Sequence, residues 1–220
     1  MRPSLAVVLL SLLLSLTGCL SVSDPGKTIP MQLIPAEQSA RRLVVVLPGR
    51  ADDLEALRRS GMPEAIHAAW PDADVLLAEV TLGDYMQGRA PERLHAEVIA
   101  PARERGGYRE VCLAGASMGG MGVLMYDRLH PGEMDGLVLL APYLGGAALL
   151  REIGDAGGVA QWNAGPEQPV NADNWQREMW RHIQRWSRNP DEASRVWLAY
   201  GDRDRLRKTM PLLAPALTQD

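Results

Sequence analysis

From residue 42 onward the apolar positions follow two alternating rhythms. Arg42-Leu43-Val44-Val45-Val46-Leu47 is a β-branched apolar run ended by Pro48-Gly49, the pattern of a strand buried on both faces. Asp52 or Asp53 can cap a following helix that carries Leu54 and Leu57, with Ala65 and Ile66 further on. Pro71-Asp72 reads as a turn and Asp74 to Val80 as a second strand. Pro91 opens a helix whose Leu94, Val98 and Ile99 keep helical spacing, with a stop at Gly106-Gly107. Glu110 to Ala114 is a third strand. Met118 to His130 is a helix halted by Pro131-Gly132. Gly136 to Ala141 and Arg195 to Tyr200 are the fourth and fifth strands. Strands alternating with helices predict an α/β fold: a mostly parallel sheet of about five strands with helices on both faces. The stretch from Pro142 to Ser194 breaks the rhythm. It is expected to hold loops and two helices, as a small cap inserted at about residues 143–194.

The N-terminal segment has a different pattern. Arg2 is followed by Leu5 to Leu16, an uncharged, leucine-rich run interrupted by serines. It is too short to span a bilayer, which takes about 20 residues. A positive start, a short apolar stretch and small residues next are the layout of a secretory signal. Leu16-Thr17-Gly18-Cys19 resembles a bacterial lipobox. That resemblance implies cleavage before Cys19 and lipidation of its thiol, because two or more acyl chains anchor stably where one does not. Residues 1–18 are then a lipoprotein signal peptide, 19–40 a lipidated tether and 41–220 the folded domain. Leu20 stands where an inner-membrane retention signal often has Asp, which points to the outer membrane of a bacterial envelope. The other reading of this segment is an ordinary signal peptide with an incidental cysteine.

Composition narrows the function classes. The chain has 220 residues, 46% of them hydrophobic and 23% charged, ordinary proportions for a globular domain. A net charge of −4 gives no basic balance of the kind nucleic-acid binding favours. Two cysteines, Cys19 and Cys112, are too few for a disulfide scaffold or a cysteine-based zinc cluster. Cys112, inside the third strand, is expected as inert core.

One motif carries chemistry. Gly115-Ala116-Ser117-Met118-Gly119 is G-x-S-x-G, placed after an apolar strand and at the start of a helix, as a nucleophile elbow requires. Such a turn holds the serine in a strained backbone conformation. The glycines two before and two after remove side chains that would collide with neighbouring strand and helix. The helix behind Ser117 offers free N–H groups and a positive dipole end to a developing oxyanion. A Gly-rich nucleotide-binding turn is the competing reading, but the phosphate-loop lysine and the G-x-G-x-x-G spacing are absent.

On these residues the chain resembles the α/β-hydrolase family from about Arg42 to its C-terminus. Leu47-Pro48-Gly49-Arg50 matches the turn after that family's third strand. The resemblance implies that the main-chain N–H groups of Arg50 and Met118 form an oxyanion hole, Pro48 standing where His is common. The Arg50 side chain could meet an acidic substrate or pair with Asp52 or Asp53. The family's acid falls by spacing on Asp204, in Gly201-Asp202-Arg203-Asp204, with Asp202 as the alternative. Its role would be to orient a histidine base. In the family that histidine follows the acid, yet no histidine follows Asp204 here; the four are His67, His95, His130 and His182. His67 and His95 lie on helices that precede the elbow. His130 ends the elbow helix, roughly 18 Å from Ser117 at ~1.5 Å per residue. His182 lies in the cap. A chain lacking its last strand and catalytic histidine is therefore expected, with the edge at Val196–Tyr200 left unpaired.

Trp175, Met179, Ile183 and Trp186 share one helical face in the cap. They read as a packing stripe or as an apolar lining for an acyl or aromatic group. Trp180 is a possible lid residue, and Trp175, Trp180 and His182 form the possible substrate lining. The expected function is a membrane-anchored serine hydrolase of carboxylic esters, working through an acyl-enzyme on Ser117. It would use no metal or cofactor and would act on a small-molecule ester or acyl substrate. The alternative is a non-catalytic binding lipoprotein on the same scaffold, or a truncated inactive form.

Overall fold

The computed structural model describes residues 27–105 and 107–217; the signal segment and Cys19 lie outside the described residues. Strand β1 (Met31–Ile34) precedes β2 (Arg42–Leu47). Helices α1 (Leu54–Arg58) and α2 (Met62–Ala69) lead to β3 (Ala73–Ala78). Next come α3 (Leu82–Met86), α4 (Ala90–Leu94), a π-helical turn (His95–Ile99) and α5 (Ala100–Glu104). Strand β4 (Glu110–Ala116) runs into α6 (Met118–Leu129), followed by β5 (Gly136–Leu140). Helices α7 (Ala147–Asp155), α8 (Trp175–Trp186) and α9 (Pro190–Ala193) precede β6 (Val196–Ala199) and α10 (Met210–Leu213).

The sheet has six strands in the order β1-β3-β2-β4-β5-β6. Only β1 runs antiparallel, pairing Met31 with Ala78 and Ile34 with Val75. The remaining neighbours are parallel, with Val44 beside both Val75 and Cys112. Alternate residues of the central strands feed two cores, because side chains along a strand point to opposite faces. Leu43, Val45, Leu47, Val111 and Leu113 face α6 and α8 in the larger core. Val44, Val46, Cys112 and Ala114 meet Leu57, Met62 and Ile66 from α1 and α2 in the smaller one. Cys112 is buried there. Burial, with the charges of Glu110 and Asp135 adding to it, pushes its thiol up to about 11, so the sulfur stays protonated and unreactive.

One expectation changes. The sheet has one strand more than the pattern predicted, and that strand lies inside the segment assigned to the tether. β1 is held by its backbone pairing to β3 and not by burial, since Met31 and Leu33 are exposed. The inserted segment, for its part, packs on the body of the domain. Met179, Trp180, Ile183 and Trp186 of α8 are completely buried in the larger core. Strand β6 ends the sheet order. Its Trp197 is half exposed and meets Trp70 edge-on at 6.5 Å between ring centres.

Candidate active site

Strand β4 delivers Ser117 to the C-terminal end of the sheet, and α6 starts at the next residue. Ser117 has φ 54° and ψ −113°, a backbone state that L-residues rarely adopt and that costs of order 1–3 kcal/mol. The structure fixes it from both sides. The Ser117 N–H donates to the Leu140 carbonyl at 2.9 Å, and its carbonyl accepts from the N–H groups of Tyr143 at 2.9 Å and Met121 at 3.1 Å. The flanking glycines are required by contact. A Cβ on Gly115 would stand 2.8 Å from the Gly120 nitrogen, and one on Gly119 would stand 2.8 Å from the Pro48 carbonyl oxygen. Neither neighbour is a side chain that could swing away.

Ser117 opens on a cavity of about 350 Å³ lined by Arg50, Leu82, Tyr85, Met86, Met118, Met121, Met125, Tyr143 and Trp175. The turn after β2 thus brings Arg50 to the same cavity as Met118, the first residue of α6. Among the described hydrogen bonds, neither the Arg50 nor the Met118 main-chain N–H donates to a protein acceptor. A helix's first N–H groups have no intrahelical partner, so this corner can receive negative charge. A second space of about 350 Å³ shares Tyr85, Met86, Met125 and Trp175 with the first. The two form a continuous, largely apolar cleft beside the serine.

The wall includes residues the sequence did not single out. Met121 and Met125 follow Ser117 at steps of four along α6, a spacing that could have identified them. Tyr85 is placed by α3, whose N-terminus is fixed by a capping box between Thr81 and Asp84. Gly122 leaves room for the Tyr85 ring. The Tyr85 hydroxyl is buried without a hydrogen-bond partner. Burial, reinforced by the Asp84 charge, pushes the phenol well above its ordinary value.

Several expected lining residues lie elsewhere. Trp175 reaches the cavity, but Trp180 does not. It is fully buried and donates its indole N–H to the Leu144 carbonyl at 2.8 Å, which makes it core and not a lid. His182 is also buried. Its Nε2 pairs with Asp127 Oδ2 at 2.8 Å, while Arg195 binds the other Asp127 oxygen at 2.7 Å. The imidazole is turned to the last turn of α6, away from the serine. Arg50 makes no ion pair with Asp52 or Asp53 among the described residues; Asp53 instead caps α1 by accepting from the Ala56 N–H at 2.8 Å.

Asp204 follows β6, half buried. Its Oδ1 accepts from the Leu206 N–H at 2.7 Å, a local turn bond, and it does not line the cavity. Asp202 is exposed. None of the four histidines lines the Ser117 cavity. His95 and His130 stack on each other with ring centres 4.3 Å apart, far along α6, and His67 sits on α2.

Comparison with known proteins agrees with this architecture. Est1E from Butyrivibrio proteoclasticus superposes with a TM-score of 0.52 at 18% identity, over 84% of this chain and 77% of that one. The S-formylglutathione hydrolase FrmB from Staphylococcus aureus does so with a TM-score of 0.56 at 12% identity, over 83% and 74%. A membrane phospholipase A, described as a bacterial virulence factor, gives 0.52 at 18% identity, over 97% of this chain and 81% of that one. These likenesses establish an α/β-hydrolase-type fold. No curated protein matches the sequence. The family model described as "Putative esterase" matches residues 91–219. That span runs from α4 through the elbow, the inserted helices and β6, more than half of the chain, and the chain belongs to this esterase family.

Proposed function

We propose that the protein hydrolyses carboxylic esters through an acyl-enzyme on Ser117. The observation that carries this reading is the strained serine at the N-terminus of α6, opening on an apolar cleft. Strain of that kind persists only where the surroundings enforce it, and it clusters at reactive sites. The Ser117 hydroxyl oxygen attacks the ester carbonyl carbon and its proton passes to a base. The carbonyl oxygen becomes an oxyanion facing the N–H groups of Arg50 and Met118. Collapse expels the alcohol, which takes up the proton, and water then releases the acid from Ser117. Met86, Met121, Met125 and Trp175 favour an apolar acyl or aromatic group on the substrate. Asp204, in the turn after β6, is the acid that would orient an imidazole base.

A second reading, a binding protein on the hydrolase scaffold, is favoured by one observation: no described imidazole lines the cavity. An active-site phosphonate and an ester of a medium-length acid separate the two. Labelling and turnover that vanish in Ser117→Ala support the enzyme. Ester binding in the cleft with no Ser117-dependent turnover supports the binding protein.

We also propose that Cys19 carries lipid and holds the protein on the bacterial envelope, at the outer membrane. The lipobox-like Leu16-Thr17-Gly18-Cys19 after a short apolar run supports this. Metabolic labelling with a fatty acid should mark the parent and not Cys19→Ser; equal labelling of both would refute it.

A further inference from the structure

Far from the serine, two histidines that are distant in sequence meet. His95 opens the π-helical turn after α4, and His130 caps the C-terminus of α6. Glu133 follows in the next turn. Its Oε2 lies 3.3 Å from His95 Nδ1 and 3.5 Å from His130 Nδ1. The donor atoms of the three side chains all fall within 4.8 Å of one another. Tyr126 donates its hydroxyl to the same Glu133 oxygen at 2.7 Å. Arg103 is turned to the Glu133 main-chain carbonyl and to Asp135, which leaves the carboxylate to the imidazoles and the phenol.

We propose that His95, His130 and Glu133 bind a divalent cation of the zinc type, at a site separate from Ser117. The spacing carries the argument. Zinc takes nitrogen and carboxylate oxygen at about 2.0–2.2 Å in tetrahedral geometry, which sets donor–donor edges of about 3.3–3.5 Å. The two measured edges match. Two imidazoles and a carboxylate are a donor set that suits zinc among available cations. Three protein ligands leave a fourth position for water, and the side chains are partly exposed, at 36% for His95 and 24% for His130. Water and the ion can therefore enter. Tyr126, bound to the ligating carboxylate, is the outer-shell partner that orients it. A π-helical turn at a functional position is a recurrent feature, and here it presents His95.

Binding requires one adjustment. The two rings lie nearly parallel, 9° apart, and must splay so that both lone pairs aim at one point. Their partial exposure permits that rotation. The bound ion would tie the segment after α4 to the end of α6, whose other end carries Ser117. The competing arrangement is a proton network without any ion, in which His95 Nδ1 pairs with the Tyr126 hydroxyl at 3.1 Å and the His130 Nδ1 faces Glu133.

The test uses the full chain purified in detergent, freed of metal, and titrated with Zn²⁺ against a chromophoric chelator. One Zn²⁺ per chain is expected, with a rise in Tm on loading. His130→Ala and Glu133→Gln should weaken binding by at least about 100-fold, more than the 10–100-fold that loss of an outer-shell partner costs. Tyr126→Phe should fall in that smaller range. Glu133→Gln preserves side-chain size, so its Tm in chelator reports folding independently of the metal. Co²⁺ loading should give a spectrum without a thiolate charge-transfer band, which excludes a cysteine as the ligand. Absence of stoichiometric Zn²⁺ binding would overturn the proposal, as would binding that stays within tenfold in both His130→Ala and Glu133→Gln.

Discussion

Replacing Ser117 by glycine and, separately, by alanine distinguishes its backbone from its hydroxyl. Alanine removes the oxygen but keeps the Cβ, and with it the strain of φ 54°. Glycine removes both, since it occupies positive φ without steric cost. Relief of a residue in so sparsely populated a region is worth about 1–3 kcal/mol. The greater freedom of glycine in the unfolded chain takes back about 0.4–1 kcal/mol. The net gain is about 0.5–2 kcal/mol. At about 2–4 °C per kcal/mol for a domain of this size, Ser117→Gly should melt a few degrees above the parent. Ser117→Ala should melt close to it. Both should lose ester turnover and phosphonate labelling. Gly119→Ala works in the opposite direction: its new Cβ would press on the Pro48 carbonyl, and overpacking against main chain costs about 1–3 kcal/mol or more. Scanning calorimetry beside an ester assay reads both quantities. Equal melting of the glycine and alanine variants, or a lower Tm for glycine, would refute the claim that the elbow stores strain.

Three further outcomes follow from particular contacts. Asp127→Asn should destabilise the protein by roughly 3–5 kcal/mol, the cost of breaking a buried ion pair, because Asp127 is fully buried between His182 and Arg195. Burial acts to raise the Asp127 carboxyl, but the His182 hydrogen bond and the Arg195 charge outweigh it and hold it below its ordinary value. Its stabilisation is therefore complete above the unfolded carboxyl pKa of about 3.9 and is lost as pH falls through the lower folded value. Denaturant melts between pH 6 and pH 2 should show a shallower acid decline in Asp127→Asn than in the parent. His182→Gln should lower Tm yet leave the rate of Ser117 labelling in folded protein unchanged; a matched loss of labelling would make His182 the base. Trp175→Ala should raise KM for an apolar acyl ester by about tenfold with kcat nearly unchanged, since it removes cleft wall away from the reacting atoms; an unchanged KM would show that the cleft does not hold the acyl group.

The parts of this fold that were legible in the sequence are those specified by short-range pattern. β2 and β4 are continuous apolar runs, and the elbow is five consecutive residues with a contact reason for each glycine. β1 was not legible. Its residues are mostly exposed, and what makes Met31–Ile34 a strand is the backbone edge of β3, supplied by residues more than forty positions away. On α8 the stripe of Trp175, Met179, Ile183 and Trp186 was visible, but the burial of Trp180, Glu178, His182 and Gln184 was not. Those residues are satisfied by distant partners: Asp127 for His182, and the carbonyls of Val159 and Trp162 for Gln184. No helical periodicity encodes such pairings. The meeting of His95 with His130 is of the same kind, set by how the segment after α4 lies against α6.

Helix α6 explains where each histidine can and cannot act. Ser117 stands at its N-terminus and Asp127 lies ten residues on, about 15 Å at the helical rise. His182 is bound at that distance. Bringing it to the serine would leave Asp127 buried with Arg195 alone, and removing one partner of a buried charge costs roughly 3–5 kcal/mol. General-base catalysis is worth about 10²–10⁴-fold, or about 3–5 kcal/mol of barrier. A rearrangement of that size would therefore consume the whole benefit before the distance is even crossed. His130 ends the same helix, and His95 meets it there from the π-helical turn after α4, both beside Tyr126 and Glu133. The geometry thus divides the helix by task. Its first turn presents a strained hydroxyl and free N–H groups to the cleft. Its last turn anchors α8 and the residue before β6 through the Asp127 carboxylate, and its C-cap, His130, stacks on His95 from the segment after α4.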